Sequence, residues 1–237
     1  MPYTDYDIAN ALDLAVLRPM ATAHDVIAAC NLAVEQSIKA VCVAPIYVAL
    51  AAHLCDNVAA VIGFPHGNTL PSVKHIEALE AINQGAAELD VVINYGCLLT
   101  GNVKPVISEL RQIVATAEAY DVCVKAILEA GYYNDSQIRD ACILCADEGV
   151  DFVKNATGFA PCGGATPRII QAMIDATTGT LVEVKASGGI KTYEECCQYL
   201  DMGCTRIGAS KLLNKASGLS KKVGDILRKG LAPQWTG

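Results

Sequence analysis

Charge is scarce in this sequence, and histidine is scarcer still. Asp, Glu, Lys and Arg make up 18% of the 237 residues, and the four histidines are His24, His53, His66 and His75. His66 and His75 stand well apart and the other two are isolated, so the close ligand spacing of a zinc site is missing and no metal is expected. The formal net charge of −7 argues against nucleic acid and anionic membrane surfaces as partners, since both select for basic patches. The sequence has no block of like charge, no low-complexity tract and no apolar run of about 18 residues. Its start, Met1 to Asp7, lacks the basic residues and apolar core of a signal peptide. A soluble, cytoplasmic protein is expected.

A disulfide framework is missing as well. The eleven cysteines are an odd number, and Cys42, Cys123, Cys142, Cys145 and Cys204 fall in apolar segments, where a reduced cysteine acts as a small hydrophobe. Cys142 and Cys145 have the C-x-x-C form, but they sit in a helical pattern with no second ligand pair at zinc spacing. Core packing is the expected role for that pair, and all eleven cysteines are expected as thiols.

What the chain does have is core-forming material, at 52% hydrophobic. Apolar runs read as strands at 12–17, 40–44, 59–64, 88–95, 122–129 and 204–208, with two more that carry Lys154 and Lys185. Between them lie helical patterns. Thr22 with Asp25 signals a cap ahead of the stripe Val26, Ala29, Cys30, Ala33 and Val34, and a second stripe runs from Val103 to Ala117. Further helices are expected at 47–54, 72–83, 135–148, 167–176, 193–202 and 211–227, with a short extra one at 4–11. Eight strands alternating with helices, with no linker between them, imply a parallel sheet closed on itself. The predicted fold is α/β, a single (β/α)8 TIM barrel over residues 1–237 with a short extra N-terminal helix.

Two lysines end apolar strands in this scheme. An ammonium kept out of water tends to give up its proton, and a deprotonated lysine is a nucleophile. On neighbouring parallel strands Lys154 and Lys185 would face each other, and each cation would depress the pKa of the other, which suggests imine chemistry. Asp90 lies inside an apolar strand, where an unpaired carboxylate is costly. It reads either as a plain buried ion pair or as a proton carrier beside the two lysines. Lys125 is a third interior lysine and an alternative nucleophile, although a salt bridge to Glu129 at the strand end is its favoured role. The polar groups Asp13, Asn94, Glu129, Lys154 and Lys185 and the turn Gly208-Ala209-Ser210 are expected to open onto one face, at the carboxyl ends of the strands. The glycine turns at Gly163-Gly164, Gly188-Gly189 and Gly208 supply backbone N–H groups suited to a phosphate, in the place where this fold often holds one. Lys191 and Lys211 are candidates to add charge there.

Five motifs in this order resemble the deoxyribose-phosphate aldolase family. They are Asp90-Val91-Val92-Ile93-Asn94, Lys154 in Val-Lys-Asn-Ala-Thr-Gly-Phe, Gly163-Gly164-Ala165-Thr166, Lys185-Ala186-Ser187-Gly188-Gly189-Ile190 and Arg206-Ile207-Gly208-Ala209-Ser210. Leu12-Asp13-Leu14, Cys42-Val43-Ala44-Pro45 and Phe64-Pro65-His66-Gly67-Asn68 extend the resemblance over nearly the whole chain. The resemblance implies a cofactor-free, metal-free class I aldolase, commonly dimeric, that cleaves 2-deoxy-D-ribose 5-phosphate reversibly into acetaldehyde and D-glyceraldehyde 3-phosphate. Lys154 would then form the Schiff base, Lys185 would lower its pKa, and Asp90 would relay protons with Lys185. Asp13, Cys42, Thr157, Gly158, Gly188, Gly189, Gly208 and Ser210 would contact substrate. The sequence departs from the family at Ala15, Ala130 and Asn155-Ala156, where hydroxyl residues are usual, and its end, Gln234 to Gly237, lacks the tyrosine some members carry. Two other readings stay open: a Schiff-base aldolase with a different aldehyde preference, and a phosphate-binding barrel without turnover.

Overall fold

In the computed structural model, which describes residues 3–211, eight strands form a closed parallel barrel in chain order. The chain opens on α1 (Asp5–Ala11), whose N-terminus is closed by a reciprocal cap between Thr4 and Asp7. It leads directly into β1 (Leu12–Val16). Next come α2 (Ala23–Gln36), β2 (Ala40–Val43), α3 (Val48–Ala52), β3 (Val58–Ile62), α4 (Pro71–Asn83) and β4 (Glu88–Val92). After a short α5 (Tyr95–Leu99) the chain continues through α6 (Lys104–Ala119), β5 (Cys123–Ile127), α7 (Asp135–Asp147) and β6 (Phe152–Lys154). It finishes with α8 (Pro167–Thr177), β7 (Glu183–Ser187), α9 (Tyr193–Asp201) and β8 (Arg206–Ala209), which pairs back onto β1.

The alternation of side chains along each strand sorts the molecule into layers. Leu12 and Leu14 of β1, Val41 and Val43 of β2, Leu89 and Val91 of β4 and Val153 of β6 face outward and pack against the helices in one continuous apolar core. The opposite parity faces the barrel axis, and there Asp13, Glu88, Asp90, Lys125, Lys154, Lys185 and Arg206 are all buried. The cap expected at Thr22 and Asp25 is present, with Thr22 accepting from the Asp25 N–H and Asp25 from that of Thr22.

Three details differ from the sequence expectation. The predicted helix at 47–54 is a 3-10 turn (Pro45–Tyr47) followed by α3, because Pro45 starts the turn before Tyr47. α5 was not expected; Asn94 creates it by accepting the Cys97 N–H at 3.2 Å with its side chain. A further 3-10 turn follows β5 at Ala130–Tyr132. The helix expected at 211–227 and the terminal Gln234 to Gly237 lie outside the described residues, apart from Lys211.

Candidate active site

Register brings the charged residues together. Lys154 on β6 is the Cα partner of Lys185 on β7, Lys185 is that of Arg206 on β8, and Asp90 on β4 is that of Lys125 on β5. Residues paired in this way share a face of the sheet, so one parity choice in β4 to β8 puts all five side chains inside the barrel. Their heights differ. Glu88 and Arg206 open their strands, Asp90, Lys125 and Lys185 sit mid-strand, and Lys154 ends β6 at the carboxyl rim.

The result is one ionic cluster. Asp90 Oδ2 accepts from both Lys154 Nζ and Lys185 Nζ at 2.7 Å each, while Oδ1 accepts from Lys125 Nζ at 2.9 Å. Lys125 also donates to Glu88, and Lys185 to Asp13. Arg206 bridges Asp13, at 2.9 Å from Nε, and Glu88, at 2.7 Å, and its guanidinium lies 5.7 Å from the centre of the Phe152 ring. Four cationic side chains thus share three carboxylates. Lys154 touches only one of those carboxylates, through an oxygen it shares, and its side chain is 5% exposed against 0% for Lys125 and 1% for Lys185.

Burial pushes the Asp90 carboxyl up, but Lys125, Lys154 and Lys185 outweigh burial and hold it well below the usual carboxylate range. Burial pulls Lys185 down, and Asp13 with Asp90 more than reverses this, so it stays above an ordinary lysine. For Lys185 this runs against the expected depression: Asp90 lies between the two lysines, and Lys185 is held as a cation. Lys125 is raised in the same way, with burial opposed by Asp90, Asp13 and Glu88.

The salt bridge expected between Lys125 and Glu129 is not formed, because Lys125 is mid-strand and points to Glu88 and Asp90. Glu129 stands beyond β5 in a left-handed conformation (φ 52°). Its buried carboxylate accepts from the Thr157 N–H at 3.3 Å and from the Thr157 hydroxyl. Burial pushes that carboxyl up, and the bonds from Thr157 offset only part of the push. Thr157 in turn accepts the Phe159 N–H at 3.1 Å, which shapes the turn at Gly158.

Asn155 does not point toward the axis. Its side chain clamps β7 instead, donating to Ser187 O at 3.0 Å and accepting the Ser187 N–H at 2.7 Å, and the Ser187 hydroxyl donates to Ala156 O at 2.6 Å. Gly164 and Gly188 bring the two loops into contact. A Cβ on Gly164 would lie 2.1 Å from Gly188 O, and Ala165 N donates to that same oxygen at 3.0 Å. Gly188 and Gly189 both have φ above 80°, in the left-handed region open to glycine. Gly208 sits within β8 beside Ser187 and Asp13, and Ser210 follows the strand at the surface. Lys191 and Lys211 are both exposed.

Of the residues expected to contact substrate, Thr157, Gly158, Gly188, Gly189, Gly208 and Ser210 lie at or beyond the carboxyl ends of β6 to β8. Asp13 differs from the sequence picture. It is the second residue of β1 rather than its tip, fully buried against Lys185 and Arg206. Cys42 is buried with Sγ 3.9 Å from Asp90 Oδ2, and burial, aided by Asp90, pushes its thiol up to about 12.

Two features escaped the sequence. Glu88 and Arg206 complete the cluster from below, a role that only register reveals. Facing the lysines is an apolar wall of Cys42, Ala59 and Val61, against which Ala15, Leu17 and Phe64 pack. Phe64 meets Phe159 edge-on at 5.3 Å across the mouth. The signal for the wall was the small or apolar character of the inward parity in β1 to β3. Among the described residues no group of three or more His, Cys, Asp or Glu is placed to hold a metal ion, and no helix is long and apolar enough to cross a membrane.

Comparison with known proteins bears on this geometry. Residues 8–224 match the model of the DeoC/LacD family aldolases. The chain is 40% identical over 212 residues to a deoxyribose-phosphate aldolase of Caldicellulosiruptor saccharolyticus, covering 87% of this chain and 96% of that protein. It is 42% identical over 203 residues to one from Streptococcus suis, covering 84% and 90%. The solved deoxyribose phosphate aldolase of Aeropyrum pernix, described as a tetramer, superposes with a TM-score of 0.79 at 29% identity, covering 96% of this chain and 94% of that one.

Proposed function

The chain belongs to the DeoC/LacD family of aldolases, and on that premise we propose that it reversibly cleaves 2-deoxy-D-ribose 5-phosphate, with Lys154 as the Schiff-base nucleophile. The observation that carries the reading is the Asp90 oxygen shared at 2.7 Å by an amine at the open rim and by a second lysine held as a cation.

The amine that attacks a carbonyl is the neutral one. Lys154 reacts in that neutral form beside an Asp90 held as an anion and a Lys185 held as a cation, and the proton it gives up leaves through water at the rim. Its nitrogen adds to C1 of the open-chain sugar, and loss of water leaves an iminium. The C3 hydroxyl then loses its proton, the C2–C3 bond breaks, and its electron pair moves into the iminium to form an enamine as D-glyceraldehyde 3-phosphate departs. Protonation of the enamine carbon and hydrolysis release acetaldehyde and free Lys154. Asp90 and Lys185 carry these protons through a water, a general acid–base role.

The wall of Ala15, Cys42, Ala59 and Val61 offers the two-carbon unit an apolar surface. The turns at Gly188, Gly189, Gly208 and Ser210, joined by Thr157 and Gly158, receive the phosphate end. Substitution of hydroxyl residues by Ala15 and Asn155 supports a second reading, a Schiff-base aldolase of altered aldehyde preference, since Ala15 packs on the wall and Asn155 is committed to Ser187. The proposal extends to a cytoplasmic, single-domain enzyme over residues 1–237 that uses no cofactor and pairs as a homodimer.

Reduction with borohydride in the presence of acetaldehyde tests the reading. A stable adduct is expected on Lys154, found by peptide mass mapping, together with faster cleavage of deoxyribose 5-phosphate than of unphosphorylated deoxyribose. An adduct on Lys125 or Lys185, or none, would refute the assignment.

A further inference from the structure

Away from the barrel axis, two thiols meet. Cys30 lies midway along α2 and is fully buried, whereas Cys55 lies between α3 and β3 and is partly exposed. Their sulfur atoms are 3.5 Å apart and share a hydrogen bond. Among the described residues this is the one hydrogen bond between two thiols. Cys142 and Cys145, the C-x-x-C pair of the sequence, are both buried in α7 with no hydrogen bond between them.

We infer that Cys30 and Cys55 form a redox modification site, a dithiol that a peroxide converts into a disulfide stapling α2 to the segment ahead of β3. The chemistry divides between the two thiols according to their surroundings. Cys55 has access to solvent; its thiol donates to Cys30 Sγ, and once it is deprotonated the Cys30 thiol donates back to the thiolate, which draws the Cys55 pKa below that of an ordinary cysteine. The same bond, together with burial, pushes Cys30 up. Cys55 is therefore the attacking sulfur and Cys30 the resolving one.

The Cys55 thiolate attacks one oxygen of hydrogen peroxide. The O–O bond breaks, hydroxide leaves, and Cys55 becomes a sulfenic acid. Cys30 then attacks that sulfur, the S–O bond breaks, and water departs with the Cys30 proton. Two thiols lose two electrons, and one peroxide is reduced to two waters. The sulfur atoms must close from 3.5 Å to about 2.05 Å. The segment enclosed by the link contains β2 and Cys42, so the staple would bind the apolar wall of the barrel more firmly to its helical cover.

Mass mapping of the full chain tests this. After a small molar excess of hydrogen peroxide and alkylation under denaturing, non-reducing conditions, the wild-type protein is expected to yield a linked peptide pair containing Cys30 and Cys55. That pair should form before any other cysteine is lost and should disappear on treatment with dithiothreitol. Cys30→Ser is expected to leave Cys55 as a sulfenic acid trapped by dimedone, and oxidation is expected to raise the Tm of the wild type but not of this variant. The inference is overturned if wild-type Cys55 is recovered unlinked, if it proceeds to sulfinic acid beside a free Cys30, or if any other cysteine is consumed first. The wild-type measurement decides the matter even if a variant fails to fold.

Discussion

Lys74 and Lys154 are both buried lysines that touch a carboxylate at 2.7 Å, and only one of them is placed to react. Lys74 lies between α4 and the barrel wall, with its side chain and that of Glu109 both 0% exposed. Its ammonium donates to Glu109 and to Val92 O, also at 2.7 Å, and Glu109 accepts the Asn94 N–H at 2.8 Å. One cation meets one anion, the remaining bonds go to backbone at the end of β4, and no path leads in from solvent. Lys154 shares its carboxylate oxygen with a second lysine, belongs to a cluster with more cations than carboxylates, and faces the rim. Burial alone does not make a lysine a nucleophile. The decisive features are incomplete pairing and a position at the carboxyl rim of the barrel.

Replacing each lysine separates the two roles. Lys154→Ala is expected to lower kcat for deoxyribose 5-phosphate by at least ~10⁴-fold, since no other amine among the described residues combines a place at the rim with a shared carboxylate. The same variant should fold and lose the borohydride adduct. Full activity would mean that the wrong lysine has been chosen. Asp90→Asn keeps the shape but removes the anion common to three lysines, and a fall of about 10²–10⁴-fold in kcat is expected from loss of the proton carrier. A rise in KM at constant kcat would instead make Asp90 a binding residue.

Lys74→Met works on stability rather than turnover. It strands a buried carboxylate, at a cost of about 3–5 kcal/mol in denaturant unfolding, whereas Lys74→Met combined with Glu109→Leu should recover most of that loss. Both variants should keep the kcat of the folded protein. If the double variant remained as unstable as the single one, the pair would be doing more than neutralising itself.

The sequence made the barrel legible because each strand carries its own evidence: an apolar run, a helix of period 3.6 on either side, and turn residues between. Lys154, Lys185 and Asp90 stood out for a similar reason, as charges within runs that otherwise exclude them. What stayed hidden depends on register. Lys125 looked like a partner for Glu129 because the two are near in sequence, yet the Cα pairing of Lys125 with Phe152 and of Asp90 with Lys125 sends its side chain to Glu88 and Asp90. Asp13 looked like a rim residue because its partners, Lys185 and Arg206, lie far away in sequence and nothing local tied it to the interior. Lys74 and Glu109 passed unnoticed because both occupy helices, where a charged residue ordinarily reads as solvated surface.

The smallest expected effect concerns acid. Asp13, Glu88 and Asp90 titrate below their ordinary values because the cations around them outweigh burial. For such groups the stability they contribute is present above the unfolded-state pKa of about 4 and is lost as pH falls through the folded value. Glu109 shifts the other way, with burial pushing it up and Lys74 only partly opposing. A carboxyl raised on folding favours the native state below its unfolded pKa and loses that contribution as pH rises through the folded value, so on acidification it offsets part of the loss in the barrel. Removing it with Lys74→Met/Glu109→Leu should therefore steepen the fall in unfolding free energy as pH is lowered through about 4, relative to wild type, in urea titrations at stepped pH. A shallower acid limb in the double variant would show that the pair is not destabilised by its burial, and the contrast between a neutralised lysine and a reactive one would have to rest on access alone.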